Sequence, residues 1–128
     1  MFFFRLFSSK RPECASLRKQ LLIKYHPNCH CSMCMNAFPK ELLDMAHLKP
    51  RRSITCSMER RNINNVEFMC KLCHAMYDRG FIGINHYGRI ENSPLISHSK
   101  IGQTYSKYNE NNAAFFNWHY FNIFLKSK

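Results

Sequence analysis

Two short cysteine pairs carry the clearest chemistry in the chain: Cys31 and Cys34 in CSMC, and Cys70 and Cys73 in CKLC. Two residues between sulfurs is the spacing at which a tight turn aims both thiolates at one ion, and two such knuckles supply the four sulfurs of a tetrahedral, structural Zn2+ site. Cys29 and His30 in NCHCSMC, and His74 directly after Cys73, offer alternative donors, so Cys31 ranks first and Cys29 stands in reserve. Cys14, Cys29 and Cys56 fall outside the paired spacing and read as ordinary small side chains. Seven cysteines in a secreted chain would suggest disulfides, but the complementary pairs fit a metal in a reducing compartment better. With no βαβ pattern around either pair, they do not read as a redox dithiol.

A second constellation follows at once. His74 and Asp78 lie four residues apart, so on a helix they project from one face a turn apart and can share a further divalent cation, Mg2+ or Mn2+. An acid near a helix C-terminus opposes the helix dipole, which asks for a reason beyond capping. Upstream stand His47 and Asn65. A neutral imidazole can take a proton from water near neutral pH, and an asparagine amide can accept and donate at once and so hold a loop.

The formal net charge of +11 over 128 residues, spread through both halves, favours a polyanionic partner. Nucleic acid comes ahead of an anionic membrane surface, and the plainer reading is a solubilising surface. No apolar run reaches the roughly 18 residues a membrane span needs. The opening MFFFRLF is interrupted by Arg5 and too short for a secretory core. Basic residues and serines up to Arg18 give it only a faint transit-peptide character, so residues 1–14 are expected to form a frayed or core-capping extension.

In order and spacing, His47, Asn65 and His74 resemble the HNH nuclease family, which is built on a ββα-metal finger. Ala46-His47-Leu48-Lys49-Pro50 is similar to the family phrase in which the first histidine closes a strand. Asn65 in NINNV stands where the loop asparagine does, and His74 within CKLCH opens the helix. Tyr77-Asp78-Arg79-Gly80, then FIGINHYGRIENSP and the terminal FFNWHYFNIF, resemble the stand-alone and restriction-associated members, so the likeness runs from about Leu17 to Leu125. The resemblance implies a divalent-metal-dependent endonuclease acting on DNA. In it His47 is the general base, His74 and Asp78 hold the cation, Asn65 orients His47 or the cation, and the cation acts as Lewis acid on the phosphoryl and leaving oxygens. Many members carry Asp, Glu or His where this chain has Ala46. Asp44, two residues back on the same strand face, is the candidate to compensate, directly or through water. So few protein ligands imply a weakly held cation that keeps several waters.

These residues need elements to position them. Leu17, Leu21, Leu22 and Tyr25 at helical spacing predict an amphipathic helix over Ala15 to Tyr25, broken by His26-Pro27. Glu41 to His47 reads as a strand with Leu43, Met45 and His47 on one face and Leu42, Asp44 and Ala46 on the other. Arg51 to Asn64 reads as a loop, and Arg51, Arg52, Arg60 and Arg61 in it suit clamping phosphodiester oxygens or, more plainly, solvation. Val66 to Met69 is the second strand, Cys70 to Tyr77 a knuckle running into a helix that Gly80 ends, and the stretch around His86-Tyr87-Gly88 a hairpin. The segment to Asn112 reads as irregular, and Ala113 to Leu125 as a closing helix using Phe116, Tyr120 and Ile123 or Phe124, with base stacking by Trp118 or Tyr120 the lesser option. His86, His98 and His119 read as surface or core residues.

The expectation is a small α+β protein: a zinc-stapled finger over about 29–92 inside one domain, 15–128, flanked by the N-terminal helix, the hairpin and the C-terminal aromatic helix. Its expected activity is DNA endonuclease, with a non-catalytic zinc-finger DNA-binding or structural module as the alternative. Double-strand cutting would take a homodimer or sequential nicks. An intracellular setting, cytoplasmic or nucleoid or nuclear, is expected, and organelle import or a viral source is compatible with the same features.

Overall fold

The computed structural model describes residues 12–127, so most of the expected N-terminal extension lies outside the described residues. The first helix, α1, spans Pro12–Tyr25 and starts at Pro12 rather than Ala15. Proline suits the first helical position because its missing N–H has no partner there, and Glu13 meets the positive end of the helix dipole. Glu13 is also held by Arg51, whose Nε donates to it at 2.7 Å. Leu17 and Leu21, one turn apart, are the buried stripe of α1.

Strands β1 (Leu43–His47) and β2 (Val66–Cys70) pair antiparallel, with Leu43 opposite Cys70 and His47 opposite Val66. The strand begins at Leu43 and not at Glu41, because Lys40–Leu42 close a single 3-10 turn after Pro39. Arg18 draws the Lys40 and Leu43 carbonyls toward α1, at 2.8 and 3.1 Å. The pair of strands is covered on both sides. On the face carrying Phe68, α1 lays Tyr25 and the Arg18 guanidinium over the ring. On the Asp44 face lies α3 (Lys71–Asp78), where His74 reaches Asp44. Val66, Phe68 and Met69 are accordingly buried.

The stretch expected as a plain loop, 51–64, is instead folded into a 3-10 turn at Arg51–Ser53, a short helix α2 at Ser57–Arg60 and a 3-10 turn at Ile63–Asn65. Pro50 sets the first turn, and the Asn62 side chain caps the last by accepting from the Asn64 amide. Helix α3 ends where Gly80 takes φ +78. There the Gly80 amide donates to Tyr77 O and the Phe81 amide to Met76 O, the bond pair of a Schellman cap.

Strands β3 (Ile82–Ile84) and β4 (Ile90–Asn92) form the expected hairpin. Helix α4 (Ala113–His119) closes the core and widens into a π turn over Tyr120–Phe124. That widening changes which residues face inward. Phe115, Phe116, His119 and Phe124 are buried, whereas Tyr120, expected in the core, is half-buried and donates its hydroxyl to Glu91. The π turn puts His119 and Phe124, five positions apart, on one face, a spacing that a 3.6-residue reading misses. Among the described residues no helix is long and apolar enough to cross a membrane.

His119 is 1% exposed, stacks on the Tyr77 ring at 3.6 Å and donates from Nε2 to the Tyr77 carbonyl at 2.7 Å. Its Nδ1 is buried without a partner, so a second proton there has nothing to bond. Burial therefore pushes His119 down from 6.5 to about 4, although the carbonyl and Asp78 act the other way. A folded state that refuses a proton the unfolded chain accepts loses stability as pH falls from 6.5 toward 4. The expected loss is about 3 kcal/mol. Urea melts across that window should show a shallower slope with pH in His119→Gln, which keeps an amide donor but does not titrate.

Candidate functional site

The first knuckle is a tight turn in which the Met35 amide donates to Cys31 O at 2.9 Å and the Cys31 amide to Asn36 O at 3.0 Å. Met35 adopts φ 68, a left-handed conformation that a non-glycine residue takes only when its surroundings impose it. Cys70 caps the N-terminus of α3, its Sγ accepting from the Cys73 amide at 3.4 Å. The knuckles meet because the amide of Ser32 donates to Phe68 O on the free edge of β2, at 2.8 Å. As a result the sulfurs of Cys31, Cys34, Cys70 and Cys73 all lie within 4.8 Å of one another.

Cys29, the reserve ligand, is outside that cluster, and His30 turns its Nδ1 to Asn28 O. None of the seven cysteines is in a disulfide. Within the cluster the Cys73 S–H group lowers the Cys31 thiol to about 4, with burial opposing it, and Cys73 is pushed up for the same reason. Sulfurs this close resist ionising together without a cation, and a tetrahedral zinc ion is what four clustered thiolates could hold.

One residue beyond Cys73 on α3, His74 sits between two carboxylates. Its Nδ1 is 2.9 Å from Asp44 Oδ2 and its Nε2 is 3.1 Å from Asp78 Oδ2. The Asp78 carboxylate first, and Asp44 with it, raise His74 to about 9 against the opposing effect of partial burial. Burial works against ionisation of Asp44, but His74 and Lys71 outweigh it and hold the carboxyl below its usual range. Lys71 takes the second oxygen, Oδ1, at 2.6 Å. Asp44 is thus engaged at both oxygens and stands behind His74, while Asp78 stands in front. Lys71 was a readable partner missed in the sequence, since it lies one turn before His74 on the same helix face.

His47 closes β1 and is half-buried. Strand alternation turns it to the face opposite Asp44 and Ala46, about 10 Å along the strand from Asp44. The helix α3 climbs beside β1 in the same sense: Lys71 and His74 are level with Asp44, and the Tyr77 hydroxyl donates to Leu48 O at 2.8 Å. His47 therefore lies on the face that α1 covers, and the His74–Asp78 pair on the face that α3 covers.

The link just beyond His47 is clamped twice. Asn65, 1% exposed, accepts from the Lys49 amide at 2.8 Å and donates to Lys49 O at 3.1 Å, and its own carbonyl accepts from the Leu48 amide at 2.8 Å. Tyr77 holds Leu48 from the α3 side. Removing the Asn65 amide leaves two part-buried backbone groups of Lys49 without that partner, at a cost of about 1–3 kcal/mol. Chemical denaturation of Asn65→Ala checks this, and Asn65→Asp, which keeps only the acceptor, should lose less.

The four arginines behave unequally. Arg51 is ion-paired with Glu13 at 2.5 Å, and Arg60 donates to Ile54 O at 3.2 Å, so both brace the 51–64 segment. Arg52 and Arg61 are exposed. Neither protein-family models nor curated proteins give a match to this chain.

Proposed function

We propose that the chain is a divalent-metal-dependent DNA endonuclease built on a zinc-stapled ββα-metal finger, with β1, β2 and α3 as the finger. What carries the reading is the junction after His47. Asn65 and Tyr77 fix it from two sides, through the backbone of Leu48 and Lys49. Rigid placement of an imidazole at a strand exit is what a general base requires and what a purely structural strand end does not.

In this reading His74 and Asp78 would hold the cation. Asp44 orients His74 by accepting from Nδ1–H, the usual arrangement behind a metal-bound imidazole, in place of ligating the cation itself. His47 is the general base for the attacking water, and the cation would supply Lewis-acid stabilisation of the phosphoryl and leaving oxygens. Zinc held by Cys31, Cys34, Cys70 and Cys73 fixes the base of α3. Arg52 and Arg61 are the arginines open to DNA phosphate.

A specific observation favours the second reading, a non-catalytic zinc-finger DNA-binding or structural module. Both ring nitrogens of His74 are already occupied by carboxylates, and among the described residues only the four cysteines converge as three or more ligands. The two readings part in a titration of Mg2+ or Mn2+ against nicking of supercoiled plasmid. The nuclease reading expects activity that requires the metal and a midpoint moved to higher metal in Asp78→Asn. Retained DNA binding with no nicking at any metal concentration would leave the module.

A further inference from the structure

The irregular segment after β4 delivers one side chain to the cysteine cluster. His98 is 7% exposed, and its Nε2 lies 3.9 Å from Cys73 Sγ. From behind, the Lys100 amide donates to Nδ1 at 3.2 Å, and the Ile101 amide donates to the His98 carbonyl at 3.1 Å, so a turn fixes the ring. An imidazole nitrogen that accepts an amide hydrogen carries the lone pair. The proton of the neutral ring therefore sits on Nε2, the atom that faces the sulfur.

The knuckles serve the first sulfur of each pair with a backbone amide: Cys34 N–H donates to Cys31 Sγ and Cys73 N–H to Cys70 Sγ, each at 3.4 Å. Cys73 is the second sulfur of its pair, and the group facing it is an imidazole brought from 25 residues downstream. Four thiolates around one Zn2+ leave a net charge of about −2. Donors to sulfur disperse that charge and fix the direction of the ligand.

We propose that His98 is a positioning residue of the zinc site, its neutral ring donating Nε2–H to the Cys73 thiolate so that this ligand is oriented and its charge shared. The inference rests on the reading of the four cysteines as a zinc site. His98 touches no DNA and no catalytic cation in this role; it acts through Cys73.

The test uses the full chain as wild type, His98→Gln and His98→Leu. Zinc affinity is measured by competition with a chromophoric chelator, and the cobalt-substituted proteins are compared by absorption. Glutamine can present an N–H near the position of Nε2, and leucine fills the space without a donor. His98→Gln should hold zinc near the wild-type affinity, whereas His98→Leu should lose about tenfold or more. Its sulfur-to-cobalt charge-transfer band should move to lower energy, because a sulfur without its donor gives up an electron more readily. Unchanged affinity and band in His98→Leu overturn the inference, and so does equal weakening in both variants, which would mark packing and not donation. A wild-type chain that binds neither metal through thiolates overturns the zinc reading itself, before His98 enters.

Discussion

Stripping zinc with a strong chelator, or replacing Cys73 by serine, is expected to cost the protein its cooperative melt or to lower the midpoint by about 10 °C or more. The reason is connectivity. The four sulfurs join the turn that precedes β1 to the junction of β2 and α3, and the only other direct bond described between the first knuckle and β2 is the single one from Ser32 to Phe68 O. Without a cation the clustered thiols repel further ionisation, the N-cap of α3 loses its anchor, and the helix that carries His74 and Asp78 is left with one side of its support. Structural zinc contributes about 10 kcal/mol or more in isolated fingers, comparable to the whole stability of a domain this size. The buried cluster around Leu17, Leu21, Phe68 and Phe116 persists without metal, so partial structure and not a random coil is the expected product. Thermal melts followed by near-UV circular dichroism, alongside metal analysis of the same samples, check the result. A melt indifferent to chelation would remove the zinc from the account.

Replacing His47 by alanine is expected to slow phosphodiester cleavage by about 10²–10⁴-fold while leaving the fold in place. The side chain is half-buried at the end of β1, and the junction beyond it is held by Asn65 and Tyr77 through the backbone of Leu48 and Lys49, bonds that an alanine at position 47 does not touch. Truncation therefore leaves those backbone bonds in place. Added imidazole should restore part of the rate in His47→Ala, because a small base can enter the space the ring has left. It should not restore His74→Ala, whose deficit is in holding the cation. Single-turnover nicking of supercoiled plasmid in Mn2+, with circular dichroism as the control on folding, measures both effects.

How much of this was legible in the chain depends on range. The cysteine pairs were legible because two-residue spacing leaves a tight turn little freedom, and it singled out Cys31 over its neighbour Cys29. Asp44 was singled out by parity with Ala46, since a strand face repeats every second residue, but as a compensating cation ligand and not as the partner of His74 Nδ1 that it is. Contacts set by the path of the chain were not legible. Nothing in the sequence ties Arg51 to Glu13 or His98 to Cys73, because the intervening turns decide which distant residues meet. The folded turns of 51–64 escaped because segments of three or four residues have no periodicity to read. The outward position of Tyr120 escaped for a different reason: the π turn alters the helical period that a pattern search assumes.

The central claim is that a base at the strand exit and a cation on α3 act on one phosphate. Its most direct measurement is the rate at which the zinc-loaded chain nicks supercoiled plasmid in Mn2+, taken side by side with His47→Ala at equal DNA occupancy. The account predicts metal-dependent nicking by the wild type and a rate at least about a hundredfold lower in the variant. Equal rates in the two proteins, or no nicking by a folded, zinc-loaded wild type, would contradict it.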